Sequence, residues 1–207
     1  MPIATAAERA WALPEEPPPV RLMNTVWADS GGVHDDLRTA ADVDAWLDAV
    51  GADRAGARTA AGELAAARGL RDAVRRLAAH LTQDSRAAYA SGLTDVGQAL
   101  SRLNAEAAAL PAPRLTLREG RFERGAADGC SPVTAALAHV AARTVDLLGG
   151  PEADRLRACY APGCVLYFVA GHHRRAWCSV ACGNRVRAAR HYQKVREHRS
   201  EASGHDG

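Results

Sequence analysis

Four cysteines near the C-terminus constrain the fold of this chain more than any other feature of its sequence. Cys159 and Cys164 form one close pair, Cys178 and Cys182 form a second, and the pattern is C-x4-C-x13-C-x3-C. Two such pairs suit one tetrahedral Zn²⁺, because each pair supplies two thiolates from a tight turn and the spacer returns the chain to the metal. The spacing therefore predicts a structural zinc site with these four cysteines as ligands.

Two other interpretations of the cysteines stay open at this point, disulfide pairing and a set of unrelated buried thiols. Disulfides need an oxidising compartment, and the first thirteen residues contain Glu8 and Arg9 where a secretory signal needs an apolar run. No run of about eighteen apolar residues is present, so we expect no membrane span. We expect a cytoplasmic protein. The abundance of alanine, and of arginine over lysine, suggests a bacterial source.

The charges of the chain are distributed unevenly. Residues 155–199 contain ten basic side chains and one acidic side chain, Glu197, whereas the rest of the chain contains 16 basic and 23 acidic side chains. The formal charges are +9 and −7, and four thiolates with one Zn²⁺ lower the first to +7. This division indicates an anionic partner for the C-terminal segment. Docking of that segment on the acidic part of its own chain is the alternative.

The region between the N-terminus and the cysteines has the pattern of a mainly α-helical domain with a small β element. Periodic apolar positions, helix caps and Pro or Gly stop signals predict most of its elements. The alternation around Glu119-Gly120 favours a β-hairpin. The predicted elements are a strand over 20–27, a helix capped by Thr39 with Asp42, helices over 59–81 and 93–110, a hairpin over 114–124, and a helix over 131–148 capped by Ser131.

The C-terminal segment resembles the bacterial CGNR zinc-finger family. The resemblance is carried by Trp177-Cys178-Ser179, by Cys182-Gly183-Asn184-Arg185 and by VRAARHYQKVR, and it extends from Arg157 to Arg196. Together with the cysteine spacing, it implies a treble-clef-like path around Zn²⁺. This path has a knuckle at residues 159–164, a hairpin that runs from VLYFVA into RRAWC, and a helix that starts at Cys182.

The preceding region resembles the ABATE domain, which precedes the finger in most CGNR proteins. The residues on which this resemblance rests are Leu22-Met23-Asn24-Thr25, Asp42 with Trp46-Leu47, Leu70-Arg71 and Leu103-Asn104. The resemblance implies a mainly α-helical domain with a small β element and a role in transcription regulation. We therefore expect four segments, namely a flexible arm (1–19), an ABATE-like helical domain (20–150), the zinc finger with its basic helix (155–199) and a tail (200–207).

The helix after Cys182 carries most of the candidate nucleic-acid contacts. Its predicted apolar side consists of Val186, Ala189, Tyr192 and Val195, and basic side chains project elsewhere and can meet successive phosphates. A solvated charged face is the alternative, and Asn184 and Arg185 could instead brace the helix start or bridge to the other domain. The candidate contacts are Arg174, Arg175, Asn184, Arg185, Arg187, Arg190, Lys194 and Arg196.

The sequence favours a DNA-binding transcription regulator over an enzyme. It contains no G-x-S-x-G, no H-E-x-x-H and no phosphate-binding glycine loop, and four cysteine ligands leave no open position on zinc for substrate. One alternative is a protein-interaction or small-ligand-sensing module whose basic finger docks on protein. A further alternative is a ligand pocket or an enzyme site in the N-terminal domain near Asn24 and Trp46. The sequence does not indicate an oligomeric state, a small-molecule effector or a DNA target.

Overall fold

The protein consists of six α-helices and three two-stranded antiparallel sheets in the part of the chain that its structure describes. That structure is a computed structural model, and it describes residues 13–86, 92–126, 129–171 and 175–203. The elements are α1 (Pro18–Met23), β1 (Val26–Asp29), β2 (Gly32–Asp35), α2 (Ala40–Ala49), α3 (Ala61–Leu81), α4 (Val96–Ala108), β3 (Pro113–Arg118), β4 (Arg121–Ala126), α5 (Pro132–Gly149), a short 3₁₀ helix (Ala153–Arg155), β5 (Leu156–Ala158), β6 (Tyr167–Val169) and α6 (Val180–Ser203).

The predicted fold class, mainly α with a small β element, is confirmed, and the predicted caps explain where two helices begin. The Thr39 hydroxyl accepts a hydrogen bond from the Asp42 backbone amide at 3.3 Å, and the Asp42 carboxylate accepts one from Thr39 N at 2.7 Å. This reciprocal pair satisfies two amides at the start of α2. Ser131 Oγ accepts from Thr134 N at 3.0 Å at the start of α5. Among the described residues, no helix is long and apolar enough to cross a membrane.

The prediction of a strand over residues 20–27 is wrong for its first half. Residues 18–23 form helix α1, and the strand β1 begins only at Val26. Pro18 occupies the first turn of α1, where its missing amide costs nothing, and Val20, Leu22 and Met23 are fully buried by the surrounding helices. When a short helix is buried on nearly every side, its sequence is apolar throughout and shows no helical periodicity. An apolar run of this length is therefore compatible with either a helix or a strand.

The main core lies between α1, α2, α3, α4 and α5, and it continues into the predicted finger. Tyr167 and Val169 of β6 pack in this core, whereas Phe168, between them, packs with the four cysteines in a second, smaller cluster. Side chains alternate across a strand, so β6 separates the two clusters and contributes to both. The zinc-binding segment is therefore packed directly on the helical domain.

Residues 13–19 differ from the flexible arm that was expected over 1–19. Glu16 and Pro19 are buried, and α1 begins at Pro18. Residues 1–12, which belong to the same predicted arm, lie outside the described residues. At the other end, α6 extends to Ser203, beyond the predicted start of the tail at residue 200.

Candidate metal centre and basic helix

The first cysteine pair is held by a tight turn and by strand pairing. Cys164 N donates to Ala161 O at 2.9 Å, and the turn between them contains Pro162 and then Gly163, whose φ is +71°. Proline fixes φ at the second position of such a turn, and glycine adopts positive φ at the third without strain. Cys159 N donates to Leu166 O at 2.9 Å, which closes the knuckle.

The second cysteine pair lies at the start of α6, and Ser179 caps this helix. Ser179 Oγ accepts from Cys182 N at 3.2 Å, and Ser179 O accepts from Gly183 N at 3.1 Å. Helix α6 therefore begins at Val180, two residues before the predicted start at Cys182. The serine three residues before Cys182 was the sequence signal for this boundary, because Ser is a preferred N-cap residue.

The four cysteine sulfurs form one buried cluster. All four ligand atoms lie within 4.8 Å of one another, with Sγ–Sγ distances of 3.4 Å for Cys178–Cys182 and 3.8 Å for Cys164–Cys178. Sulfurs bound to one tetrahedral Zn²⁺ lie roughly 3.8 Å apart, since each Zn–S bond is about 2.3 Å. The donor set and its spacing therefore fit a structural zinc ion.

The electrostatics of the cluster also favour a bound cation once its thiols are ionised. Hydrogen bonds with the Cys159 and Cys164 sulfurs, together with burial, raise the pKa of the Cys178 thiol well above its ordinary value. Several thiolates cannot share this buried space unless a positive ion balances them. Two donors support the sulfurs directly. Cys178 N donates to Cys159 Sγ at 3.5 Å, and Arg185 Nη2 donates to Cys182 Sγ at 2.9 Å.

The strand pairing around the metal centre differs from the predicted hairpin. VLYFVA was expected to pair with RRAWC, but β6 within it pairs antiparallel with β5, with Leu156 opposite Val169 and Ala158 opposite Tyr167. Residues 175–177 form no strand. Residue 174 of the predicted hairpin lies outside the described residues. Leu156 and Ala158 of β5 are buried in the main core together with Tyr167 and Val169 of β6.

Arg86, which follows α3, binds the knuckle from the helical domain. Its Nη1 donates to Cys159 O at 2.5 Å and also to Cys164 O, and its Nε donates to Asp84 Oδ1 at 2.9 Å. Burial alone would raise the pKa of Asp84, but hydrogen bonds from Arg86 and Tyr167 outweigh it and hold that pKa below its ordinary value. Asp84 is thus an anion that orients Arg86 toward the backbone carbonyls of two cysteines of the metal centre.

Two further side chains of the helical domain bind β6 and the segment before it. Arg75 is 1% exposed, and it donates to Met23 O at 2.5 Å and to Val165 O at 3.1 Å. Burial lowers the pKa of its guanidinium to about 10, so it stays charged at neutral pH. The Asn24 amide donates to Tyr167 O and accepts from Tyr167 N, both at 2.9 Å.

Arg175, one of the predicted nucleic-acid contacts, is instead engaged inside the protein. Its Nη1 lies 2.9 Å from Glu16 Oε1, its Nη2 donates to Cys178 O at 2.7 Å, and its guanidinium lies 4.9 Å from the centre of the Phe168 ring. Glu16 Oε2 in turn accepts from Val169 N at 2.8 Å. Arg175 therefore joins the segment before α1, strand β6 and the cysteine cluster.

The other predicted contacts lie on α6, apart from Arg174, which lies outside the described residues. Arg185 contacts a cysteine sulfur, as the bracing alternative expected, and Asn184 accepts a hydrogen bond from Arg187. Arg187, Arg190, Lys194 and Arg196 are exposed. The predicted apolar side of α6 is buried only at Val186, since Tyr192 is 70% exposed and all residues from 187 to 194 are exposed. The helix thus projects away from the protein body.

The structure places Asn24 and Trp46, the residues named for a possible ligand pocket, in the interior of the helical domain. Asn24 is fully buried and both ends of its amide bind Tyr167, and Trp46 is fully buried in the main core. An open cleft of about 590 Å³ lies elsewhere, at the junction of α3 with the finger, and Gln83, Tyr160 and Trp177 are among its lining residues. The burial of Asn24 thus accompanies its hydrogen bonds to Tyr167, and Trp46 packs among the apolar side chains of the main core.

A helical domain joined to a buried four-cysteine centre with a projecting basic helix defines a zinc-finger protein. Residues 16–151 match the ABATE family, described as "Putative stress-induced transcription regulator", and residues 155–199 match the CGNR zinc finger. The first match covers more than half of the chain, so the chain belongs to the ABATE family and carries a CGNR zinc finger. Zinc is its cofactor. Among curated proteins, none matches this chain.

Proposed function

We propose that this zinc-finger regulator acts by binding DNA, with one exposed face of α6 on the phosphate backbone. The observation that carries the proposal is the common direction of Arg187, Arg190 and Lys194. At about 100° per residue, these three side chains lie within about 60° of one another around the helix axis. They are exposed, and Glu197 is the single acidic residue between Cys182 and Arg199. Spaced cations on one helix face suit successive phosphates.

The zinc centre has a structural role in this proposal, and we propose no enzymatic activity. Cys159, Cys164, Cys178 and Cys182 hold one Zn²⁺, and this ion fixes the start of α6 relative to β5 and β6. A closed set of four sulfur ligands leaves no position for a substrate. Arg185 adds a positive charge beside Cys182. Since zinc thiolates need a reducing environment, we place the protein in the bacterial cytoplasm.

The test is a DNA titration over a range of salt concentrations, with zinc content measured on every sample. We expect about one zinc per chain and a slope of log affinity against log salt on the order of −4, because each neutralised phosphate contributes about −0.9. Changing Arg187, Arg190 and Lys194 together to Ala should flatten the slope by about two to three. Zinc content should not change, because these side chains lie outside the cysteine cluster.

A matched control removes three positive charges from the helical domain. Arg38, Arg58 and Arg143 are exposed and lie on different parts of that domain, so their joint change to Ala should leave the slope as in the unchanged protein. An equal effect of both triple variants would show that net charge, not α6, drives binding. Binding that is insensitive to salt would instead favour the interaction or ligand-sensing module, whose contacts release few counterions.

A further inference from the structure

The hairpin of β3 and β4 exposes three large apolar side chains. Leu115 and Leu117 are each 66% exposed, and Phe122 is 74% exposed. Every residue of β3 is exposed, and so are the described side chains of β4. The two strands contact each other extensively, whereas their contacts with other described elements are few. A two-stranded ribbon is marginally stable alone, and an exposed group of apolar side chains often marks an interaction site. This face is therefore a candidate site for binding another molecule.

The strand register collects the apolar side chains on one face. Leu117 pairs with Phe122, and Leu115 pairs with Arg124, so these four residues share a face. The opposite face is polar and contains an ion pair at 3.4 Å between Arg118 and Glu123. The apolar face is therefore distinct from the charged face and has one cation, Arg124, near the base of the hairpin.

The turn fixes this arrangement. Glu119 and Gly120 have φ values of +50° and +78°, and together they form the two-residue connection between Arg118 and Arg121. Positive φ at both central residues matches the twist of antiparallel strands and holds them in one register. Because a slip of one residue would move every side chain to the other face, the turn keeps Leu115, Leu117 and Phe122 together.

We propose that this face binds the same face of a second copy of the chain. The two ribbons would lie antiparallel, related by a two-fold axis near the Leu117–Phe122 pair. That axis brings Arg124 at the base of one ribbon to Glu119 at the tip of the other, because the axis lies about midway between them. Within one ribbon Arg124 is opposite Leu115, four residues from Glu119, so the two residues are separated by about 13 Å along the strand, at about 3.3 Å per residue. The apolar side chains of the two copies then meet each other, and the charges at the base and the tip of the ribbon are complementary.

The size of the face indicates a weak, reversible dimer. Two six-residue strands cover roughly 20 by 10 Å, which is well below the surface of about 800 Å² per partner in a standard interface. We therefore expect a weak, transient dimer that forms only at high protein concentration. DNA is a less suitable occupant, since the face presents three apolar side chains and Arg124 alone among cations. Self-association does not depend on DNA binding by α6.

The test is sedimentation velocity of the zinc-loaded full chain over a concentration series spanning about 1 to 200 µM. The unchanged protein should pass from the mass of one chain, 21.9 kDa, to that of two. The double variant Leu117→Ser with Phe122→Ser should remain monomeric throughout. The matched control is Leu100→Ser on α4, where an apolar side chain that is 46% exposed lies away from the hairpin, and it should dimerise normally.

A charge exchange provides an independent test that does not alter the apolar residues. Arg124→Glu and Glu119→Arg should each weaken dimerisation by about tenfold, because attraction between copies becomes repulsion at two symmetric sites. The combined variant should restore it, and the two residues lie too far apart in one hairpin to restore each other. A protein that is monomeric at every concentration, or a combined variant that fails to recover, overturns the proposal. Loss of DNA binding in the apolar variant without any change in mass overturns it in favour of a nucleic-acid contact.

Discussion

Arg86 connects the helical domain to the zinc centre through hydrogen bonds from its guanidinium group to two backbone carbonyls. It lies 73 residues from Cys159 and 78 from Cys164, yet it donates to the backbone carbonyls of both. Groups that orient metal ligands in this way set metal affinity, because a ligand that must be reordered on binding loses part of the binding free energy. The role of Arg86 makes the helical domain part of the metal site.

Arg86→Ala is therefore expected to weaken zinc binding by about 10- to 100-fold. Competition with a chromophoric chelator under reducing conditions would measure the affinity. Arg76→Ala is the matched control, since Arg76 lies on α3 and its Nε donates to Thr94 O at 2.7 Å, away from the cysteines. Equal affinities for the two variants would show that the knuckle holds its geometry without Arg86.

Among the elements, the short helix α1 depends on the ion pair that precedes it. The Glu16 side chain is 3% exposed, and it binds both Arg175 and the backbone of β6. This carboxylate therefore ties the entry of α1 to the strand that separates the two cores. A charged group in such a place is retained only when its partners remain, because an unpaired buried charge is costly.

Glu16→Gln should lower the free energy of unfolding by about 1 to 3 kcal/mol, since it keeps the shape but leaves Arg175 without its counter-ion. This expected loss of stability is smaller than that for a fully buried ion pair, because the Arg175 side chain is 31% exposed. Urea unfolding of the zinc-loaded protein would measure it. Glu15→Gln is the control, because this substitution removes the same charge from the adjacent position, where the side chain is exposed. A loss of the same size in both variants would assign the effect to net charge.

At the scale of the whole molecule, the metal centre and the helical core share strand β6. From the sequence alone, loss of zinc would be expected to unfold the segment from about residue 155 onward while the helices before Gly149 persist. The structure revises that expectation. Tyr167 and Val169 fill the main core, and Asn24 and Arg75 bind the backbone of β6 and of Val165. Disorder at the cysteines should therefore reach the helices that contact β6.

Chelation of zinc should accordingly reduce amide protection in β5, β6 and α6, and also in α1 and the C-terminal end of α3. The N-terminal part of α3 and the α4–α5 pair should keep their protection, because they bury their own apolar faces away from the cysteines. Hydrogen exchange with and without chelator, followed by addition of zinc, would measure this. Protection lost only from residue 155 onward would instead establish the predicted boundary between residues 150 and 155 as the limit of a separate folding unit.

Local signals predicted the elements and the chemistry of the metal centre. The spacing of the four cysteines, the cap at Thr39 with Asp42, and Glu119-Gly120 in the hairpin each depend on neighbouring residues, and each is found in the structure. The strand predicted over 20–27 failed because a short buried helix and a buried strand share an apolar composition. The hairpin predicted at the finger failed because the partner of β6 comes from before the first cysteine.

By itself, the sequence determined a mainly helical chain with a four-cysteine zinc site and a basic C-terminal segment, because composition, spacing and capping act over a few residues. Only the tertiary structure decided what each arginine does. Arg75 and Arg86 bind carbonyls and Arg175 binds Glu16, whereas Arg187 and Arg190 face solvent. The guanidinium group offers the same donors to a carbonyl, a carboxylate or a phosphate. Its partner therefore depends on which distant segments the fold brings within hydrogen-bonding distance.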